Sequence, residues 1–179
     1  MKKVAISQSN YIPWKGYFDL INLVDEFVIL DTVQYTKRDW RNRNKIKTAN
    51  SLIWLTVPVH VKGKYYQKIC DVEIKGDDWP LNHWKSIEIN YKKSKYFDEI
   101  SHLLKPLYFE NQYKFLSDLN RKFLIEILSF LGIKTNIICS SEFNINSTKD
   151  LRILDILQDL KATDYISGPA AKSYINEEI

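Results

Sequence analysis

Only 2 cysteines occur among the 179 residues, Cys70 and Cys139, and they lie far apart. They match no metal-ligand spacing, although the sequence leaves a disulfide between them open. Long apolar runs are missing too. No segment approaches the ~18 apolar residues of a membrane span. The start, Met1-Lys2-Lys3, leads into a short apolar stretch that Gln8 interrupts. That is too short for a secretory signal, so the expected compartment is the cytoplasm. Strong charge of one sign is absent as well. The net charge of +4 and pI of about 8.9 fall short of the dense basic face of most nucleic-acid binders, which disfavours that class. The chain has no metal-binding motif, no nucleophile elbow and no Walker loop. Paired carboxylates do not stand out, and there is no repeat, linker or low-complexity stretch.

The length suits one domain with a real core. Aromatic content is high at 13%, with 11 Tyr and 5 Trp. Such residues serve core packing, or, exposed beside Arg and Asn, stacking on sugars and bases. The organising stretch is Gln8-Ser9-Asn10-Tyr11-Ile12-Pro13-Trp14-Lys15-Gly16. Before it, Val4-Ala5-Ile6-Ser7 reads as a buried strand. After it, Tyr17 to Val24 has apolar residues at helical spacing. A strand, a polar loop and a helix make the front half of a βα unit, with the loop at the strand's C-terminal end, where open α/β sheets bind ligands. The pattern repeats at Glu26 to Leu30, a strand run closed by Asp31 and followed by Gln34, Lys37, Arg38, Arg41, Asn42 and Arg43.

Strands at 3–7, 26–31, 133–139 and 164–167, separated by helices, predict a mainly parallel sheet with helices on both faces; its resemblance to nucleotide-binding α/β enzymes implies a Rossmann-like nucleotide-binding type. A β-hairpin at 52–75 and a helical segment at 78–110 are expected as insertions. Asp78-Trp79-Pro80 starts the first inserted helix, and the second is expected from Ser94 to about Tyr108, ending near Pro106. Gln112 to Leu131 reads as an amphipathic helix stopped by Gly132. Ser147 to Asp150 opens another. Ser173 to Ile179 reads as a helix in progress, so the chain is expected to continue beyond Ile179.

Within this frame the candidate residues fall into groups. Gln8, Asn10, Tyr11, Trp14, Lys15 and Gln34 offer amides, a phenol, an indole and a cation for a substrate. Lys37, Arg38, Arg41, Asn42 and Arg43 form the basic cluster. Arginine grips phosphate bidentately, and a local cluster favours a phosphate-bearing small ligand over a long polyanion. Ser167, Gly168 and Lys172 could receive a phosphate oxygen where a strand enters a helix. His83 is the best available general acid or base, since histidine titrates near neutrality. A lone helical histidine also serves structure. Asp31, at a strand end, could be a partner for Arg38 or Arg41, a base or a metal ligand.

Gln8 to Ile21 together with Asp31 to Lys47 resembles the signature of the WbqC-like family. Trp54 to Val59, Asn82 to Ile87 and Tyr165 to Pro169 continue the likeness across nearly the whole chain. Members recur among bacterial surface-polysaccharide genes, O-antigen among them. The resemblance therefore implies a bacterial cytoplasmic enzyme acting on a nucleotide or nucleotide-linked amino sugar. It brings no agreed catalytic residues. More loosely, Ile12 to Tyr17 and Ser167 to Ser173 resemble the phosphate loops of cytidylyltransferases and pantothenate synthetases, without the histidines common there. This analogy allows acyl or aminoacyl transfer onto a sugar amine through adenylation, with ATP and Mg²⁺ as cofactors. The rival expectation is a non-catalytic binding or scaffold protein of the same pathway. A homodimer is left open.

Overall fold

The computed structural model describes residues 1–145, 147 and 150–168. Lys172 lies outside the described residues. The chain divides into two compact units.

The first unit comprises 1–8, 14–32 and the chain from 133 onward. It holds β1 (Lys3–Ser7), α1 (Lys15–Asn22), β2 (Glu26–Ile29), β5 (Asn136–Cys139), α5 (Asp150–Asp159) and β6 (Asp164–Tyr165). The four strands form one parallel sheet in the order β5-β2-β1-β6. Their near-continuous apolar sequence follows from burial on both faces. Side chains alternate across a strand. Val4, Ile6 and Val28 pack on one face with Ile156 of α5. On the other, Phe27 meets Tyr17 of α1 edge-on at 5.3 Å. Thr135 ties the end of α1 to the approach to β5, donating to the Ile21 carbonyl at 2.7 Å. The chain is thus an α/β protein with helices on both faces of a parallel sheet.

The second unit comprises 9–13 and 33–132 and interrupts the path from β2 to β5. It contains the antiparallel hairpin β3 (Arg43–Lys47) and β4 (Leu52–Thr56), then α2 (Trp79–Tyr91), α3 (Phe97–Phe109) and α4 (Leu116–Phe130). Counting both units, the described residues contain five α-helices. Two expectations are corrected. The partner of 52–56 is Arg43–Lys47, not Tyr66–Ile74. The segment after Pro58 lacks a continuous ladder: it keeps single bridges, Val59 with Ile74 and Gln34 with Lys68, around a 3₁₀ turn at Ile69–Asp71. Helix α3 also does not end at Pro106 but continues to Phe109. The proline forfeits one intrahelical bond, while Leu107 and Tyr108 just beyond it are buried and offset that loss.

The core of this unit is aromatic. Tyr11, Tyr35, Trp79, Trp84, Tyr108 and Phe123 join Leu55, Val57, Leu116 and Leu119. Phe123 is fully buried, with Tyr108 at 5.2 Å and Tyr11 at 5.9 Å between ring centroids. Helix α4 closes with Gly132 at φ +71°, the left-handed C′ position where glycine carries no Cβ penalty.

Candidate functional site

In the first unit the parallel sheet presents its C-terminal edge through four strand ends. Gln8 follows β1, and its carbonyl accepts from the Tyr17 hydroxyl at 3.0 Å. Asp31, buried, stands two residues past β2. Its neighbour Thr32 bonds Ser140, the residue after β5, through its amide at 3.3 Å and its hydroxyl at 3.0 Å. Ser167 and Gly168 follow β6 and are exposed. This edge is where α/β sheets place ligands. Ser140 was not singled out from sequence. A lone serine at a strand end gives no signal until the strand order is known.

Trp14 and Lys15 open α1 as exposed residues, with Trp14 at its N-cap position. The Trp14 indole folds over Gly16, and a Cβ there would collide with Cη2 and Cζ3 of the ring. Gly16→Ala is therefore expected to displace the indole. Because Trp14 is exposed and alanine favours the helix by up to ~1 kcal/mol, stability should be unchanged or slightly raised. The Trp14 indole N–H resonance should move in a ¹⁵N-correlated spectrum; an unmoved resonance would show that the ring does not rest on Gly16.

In the second unit the loop 9–13 is strapped to residues 40–44. The Tyr11 amide donates to the Trp40 carbonyl at 3.0 Å. Arg41 donates to the Asn10 side-chain oxygen and to the Ser9 carbonyl at 3.4 Å, and pairs with Asp39 at 3.5 Å. Asn44 donates to the Ile12 carbonyl. Asn120 of α4 bonds the Ser9 hydroxyl at 3.0 Å and the Arg41 carbonyl at 2.9 Å. These bonds hold Ile12 at φ +44°, a conformation that a β-branched residue adopts only when its surroundings impose it.

Several candidates are thus committed internally. Arg41 and Asn10 bind each other. Asn42 is buried and donates to the Val57 carbonyl at 2.8 Å. Gln34 donates to the Tyr65 carbonyl at 3.0 Å. Tyr11 is 1% exposed, so its hydroxyl faces no solvent. It lies 2.9 Å from His83 Nδ1 and 2.5 Å from the Tyr108 hydroxyl. His83 Nε2 lies 3.1 Å from the Thr56 carbonyl. A carbonyl only accepts, so Nε2 carries the hydrogen and Nδ1 is the bare acceptor. The proton order follows: Tyr108 donates to Tyr11, Tyr11 to His83, and His83 to Thr56. Burial pushes the His83 pKa down to about 4, partly offset by the Thr56 bond. At neutral pH this is an uncharged imidazole with both nitrogens hydrogen-bonded.

What stays accessible is the outer face of the hairpin. The Arg43 guanidinium carbon lies 4.1 Å above the Trp54 ring centroid, and Lys45 Nζ lies 4.7 Å from it. Trp54 also meets Trp40 at 5.2 Å. Both indoles are nearly half exposed, at 41% and 47%. Arg43 donates to the Arg38 carbonyl, and Arg38 adopts φ +62°. Lys37 and Arg38 are exposed. This is a two-indole platform edged by cations. Trp54 was missed from sequence because its cross-strand partner, Lys45, is visible only once the hairpin is paired correctly. Among the described residues no cluster of three His, Cys, Asp or Glu could hold a metal ion. Among those residues no helix is long and apolar enough to cross a membrane.

Comparison with known proteins gives a family and no activity. No solved structure matches the chain. A Mycobacterium tuberculosis (strain ATCC 25618 / H37Rv) protein named "Uncharacterized protein Rv1507c" is 52% identical over 179 residues, covering 100% of this chain and 78% of that protein. The model of the WbqC-like protein family matches residues 8–179. The chain belongs to the WbqC-like protein family.

Proposed function

We propose that this protein binds a nucleotide or nucleotide-linked sugar through the cation-edged indole platform of the β3–β4 hairpin. The observation that carries the reading is Arg43 held at 4.1 Å over a half-exposed Trp54, with Lys45 beside it and Trp40 tilted against the same indole at 48°. A flat aromatic surface suits a base or a sugar ring, worth ~1–3 kcal/mol per stacked base. The adjoining cations suit the diphosphate. The parallel sheet of the first unit is, in this reading, of the Rossmann-like nucleotide-binding type, and its C-terminal edge carries Asp31 and Gln8. The protein serves bacterial surface-polysaccharide biosynthesis as a group-transfer enzyme, moving an acyl or aminoacyl group onto a sugar amine. ATP with Mg²⁺ is the cofactor if the acyl group is first adenylated.

The test is a thermal-shift panel of ATP, CTP, UDP-sugars and dTDP-sugars, amino sugars included, with and without Mg²⁺. A ligand at a hundred times its dissociation constant stabilises the fold by ~2.7 kcal/mol. For Arg43→Ala and Trp54→Ala the stabilisation should fall to ~0.4–1.4 kcal/mol. Removing a charge-assisted contact of ~1.5–3 kcal/mol lowers affinity roughly 10- to 100-fold. No shift with any ligand, or a shift that both variants keep, overturns the platform.

A second reading has its own support. His83, the best acid–base candidate in the sequence, is buried and neutral, which favours a non-catalytic binding or scaffold protein of the same pathway. Asp31→Asn separates the two: turnover lost with ligand binding retained speaks for the enzyme, and no turnover in the unaltered protein with any donor–acceptor pair speaks for the binder.

A further inference from the structure

Charge is spread unevenly along the second unit. Residues 33–68 carry nine Lys and Arg against one carboxylate, Asp39, whereas 76–132 carry eight Lys and Arg and eight Asp and Glu. Asp39 pairs with Arg41, and Lys64 pairs with Glu73. Lys37, Arg38, Lys45, Lys47, Lys62 and Lys68 are exposed and have no carboxylate partner among the described residues. The same stretch exposes large apolar side chains besides the platform indoles: Tyr65 at 68%, Tyr66 at 82%, and Leu52. The loop that carries the two tyrosines is braced. The Tyr35 amide donates to the Gln67 carbonyl at 2.9 Å, Gln34 to the Tyr65 carbonyl at 3.0 Å, and the Gln67 side chain to the His60 carbonyl at 3.1 Å. These bonds lay the loop along the start of the segment that bears Lys37 and Arg38. With its backbone committed, the loop holds out two phenol rings, 5.0 Å apart and edge-on at 87°, in a sequence that also carries Lys62, Lys64 and Lys68. On the hairpin, side chains two apart share a face. Arg43, Lys45 and Lys47 therefore form one row of cations, with Lys47 across from Leu52.

Exposed apolar side chains rimmed by charge mark interaction surfaces, and here the rim has one sign. The partner that fits is anionic and apolar at once. An anionic bilayer is both. A phenol ring sits at the headgroup level, with its hydroxyl toward water and its ring toward the acyl boundary. A lysine stem runs along apolar surface while its ammonium reaches the phosphates. Each Lys or Arg near such a surface strengthens binding roughly fivefold. A single-stranded nucleic acid would ask for something else, a row of open rings on which successive bases stack. The edge-on tyrosine pair offers no such row, and the aliphatic Leu52 offers a base nothing to stack on. We propose that the 33–68 region docks on an anionic lipid surface, with Tyr65 and Tyr66 at headgroup level and Lys62, Lys68, Lys37 and Arg38 against lipid phosphates. This docking goes beyond nucleotide binding at the indole platform and does not depend on it.

The experiment is cosedimentation of the full chain with vesicles of phosphatidylcholine alone or mixed with an equal part of phosphatidylglycerol, at ~0.1 M salt. The mixed vesicles should bind the protein roughly tenfold more tightly or better. Lys62→Gln combined with Lys68→Gln should lower that binding roughly 30-fold. Lys85→Gln combined with Lys105→Gln makes the same charge change on α2 and α3 and should leave it within about twofold. Tyr65→Ser combined with Tyr66→Ser should lower it about tenfold with no change in charge. Tyr65, Tyr66, Lys62 and Lys68 are exposed, so these variants should keep the far-ultraviolet circular dichroism of the unaltered chain. No sedimentation with either vesicle, equal binding to both, equal losses from the two lysine pairs, or an unchanged tyrosine variant overturns the docking. A single-stranded oligouridylate that binds more tightly than the mixed vesicles also overturns it and assigns the surface to nucleic acid. The Lys62 and Lys68 changes should not alter the nucleotide-induced thermal shifts. If the nucleotide panel fails while the mixed vesicles bind, the platform falls and the lipid surface stands.

Discussion

Tyr11→Phe is expected to destabilise the protein by about 3 kcal/mol, although it deletes one oxygen atom and leaves the ring in place. The hydroxyl is a hub. It donates to His83 Nδ1 at 2.9 Å and accepts from Tyr108 at 2.5 Å. All three residues are buried. Removing it strands a buried acceptor and a buried donor, each at ~1–3 kcal/mol. Tyr108→Phe should be milder, about 1 kcal/mol, because Tyr11 then keeps its donation to His83 and loses only an incoming bond. The proton order Tyr108 to Tyr11 to His83 to Thr56, fixed by the accept-only Thr56 carbonyl, thus makes an asymmetric forecast. Urea unfolding of the two single variants and the double variant tests it. Neighbours sharing one network couple by ~0.5–3 kcal/mol, so the double variant should fall short of the sum. A Tyr108→Phe cost equal to or larger than that of Tyr11→Phe would refute the proton order. Either change should also loosen the 9–13 loop, since Tyr11 anchors it beneath the strained Ile12.

Much of the parallel sheet could be read from the sequence because its strands are apolar on both faces, and such runs stand out between helical patterns. The approach to β5 was read three residues too early, since Ile133 and Thr135 are β-formers that precede the first paired residue, Asn136. The hairpin could not be read. No residue of β3 is buried, and in β4 only Leu55 is, so the alternation that marks a half-buried strand never appears. What holds it is cross-strand contact of long side chains, Lys45 and Arg43 on Trp54. On α4, Phe130 belongs to the apolar stripe in the sequence but is 44% exposed. The buried face instead runs through Leu116, Leu119, Phe123 and Leu128.

For the site, sequence located the basic cluster but not what each arginine packs against. Arg41 and Arg43 are indistinguishable as letters. Arg41 is consumed by Ser9 and Asn10, which lie 32 and 31 residues earlier, and such long-range pairing leaves no local trace. The same holds for His83, whose fate is decided by Tyr11, 72 residues away.

The consequence for pH follows from that burial. Unfolded, the His83 imidazole titrates near 6.5; folded, near 4, because burial penalises the cation more than the Thr56 carbonyl favours it. Between those values the unfolded chain holds the extra proton, so stability rises with pH across the window. The contribution is complete above pH ~6.5 and is lost as pH falls toward 4. At ~1.36 kcal/mol per pH unit the full loss is about 3 kcal/mol. The groups packed on the ring are Tyr11, Tyr108 and Trp79, none of them a carboxylate that would reverse the sign. Carboxylate titration enters at the acidic end: Glu73, paired with Lys64 and Lys114, is held below its usual range. The clean interval is therefore pH 5 to 7. There, chemical unfolding of the wild type should lose stability steadily with acid, and His83→Gln, which cannot take up the proton, should show a flatter line. Should His83→Gln fold too poorly, the ring resonances of native His83 provide the same answer: they should stay in the neutral position down to about pH 5. A histidine that titrates near 6.5 in the folded protein would instead be open to solvent and suited to general-acid work.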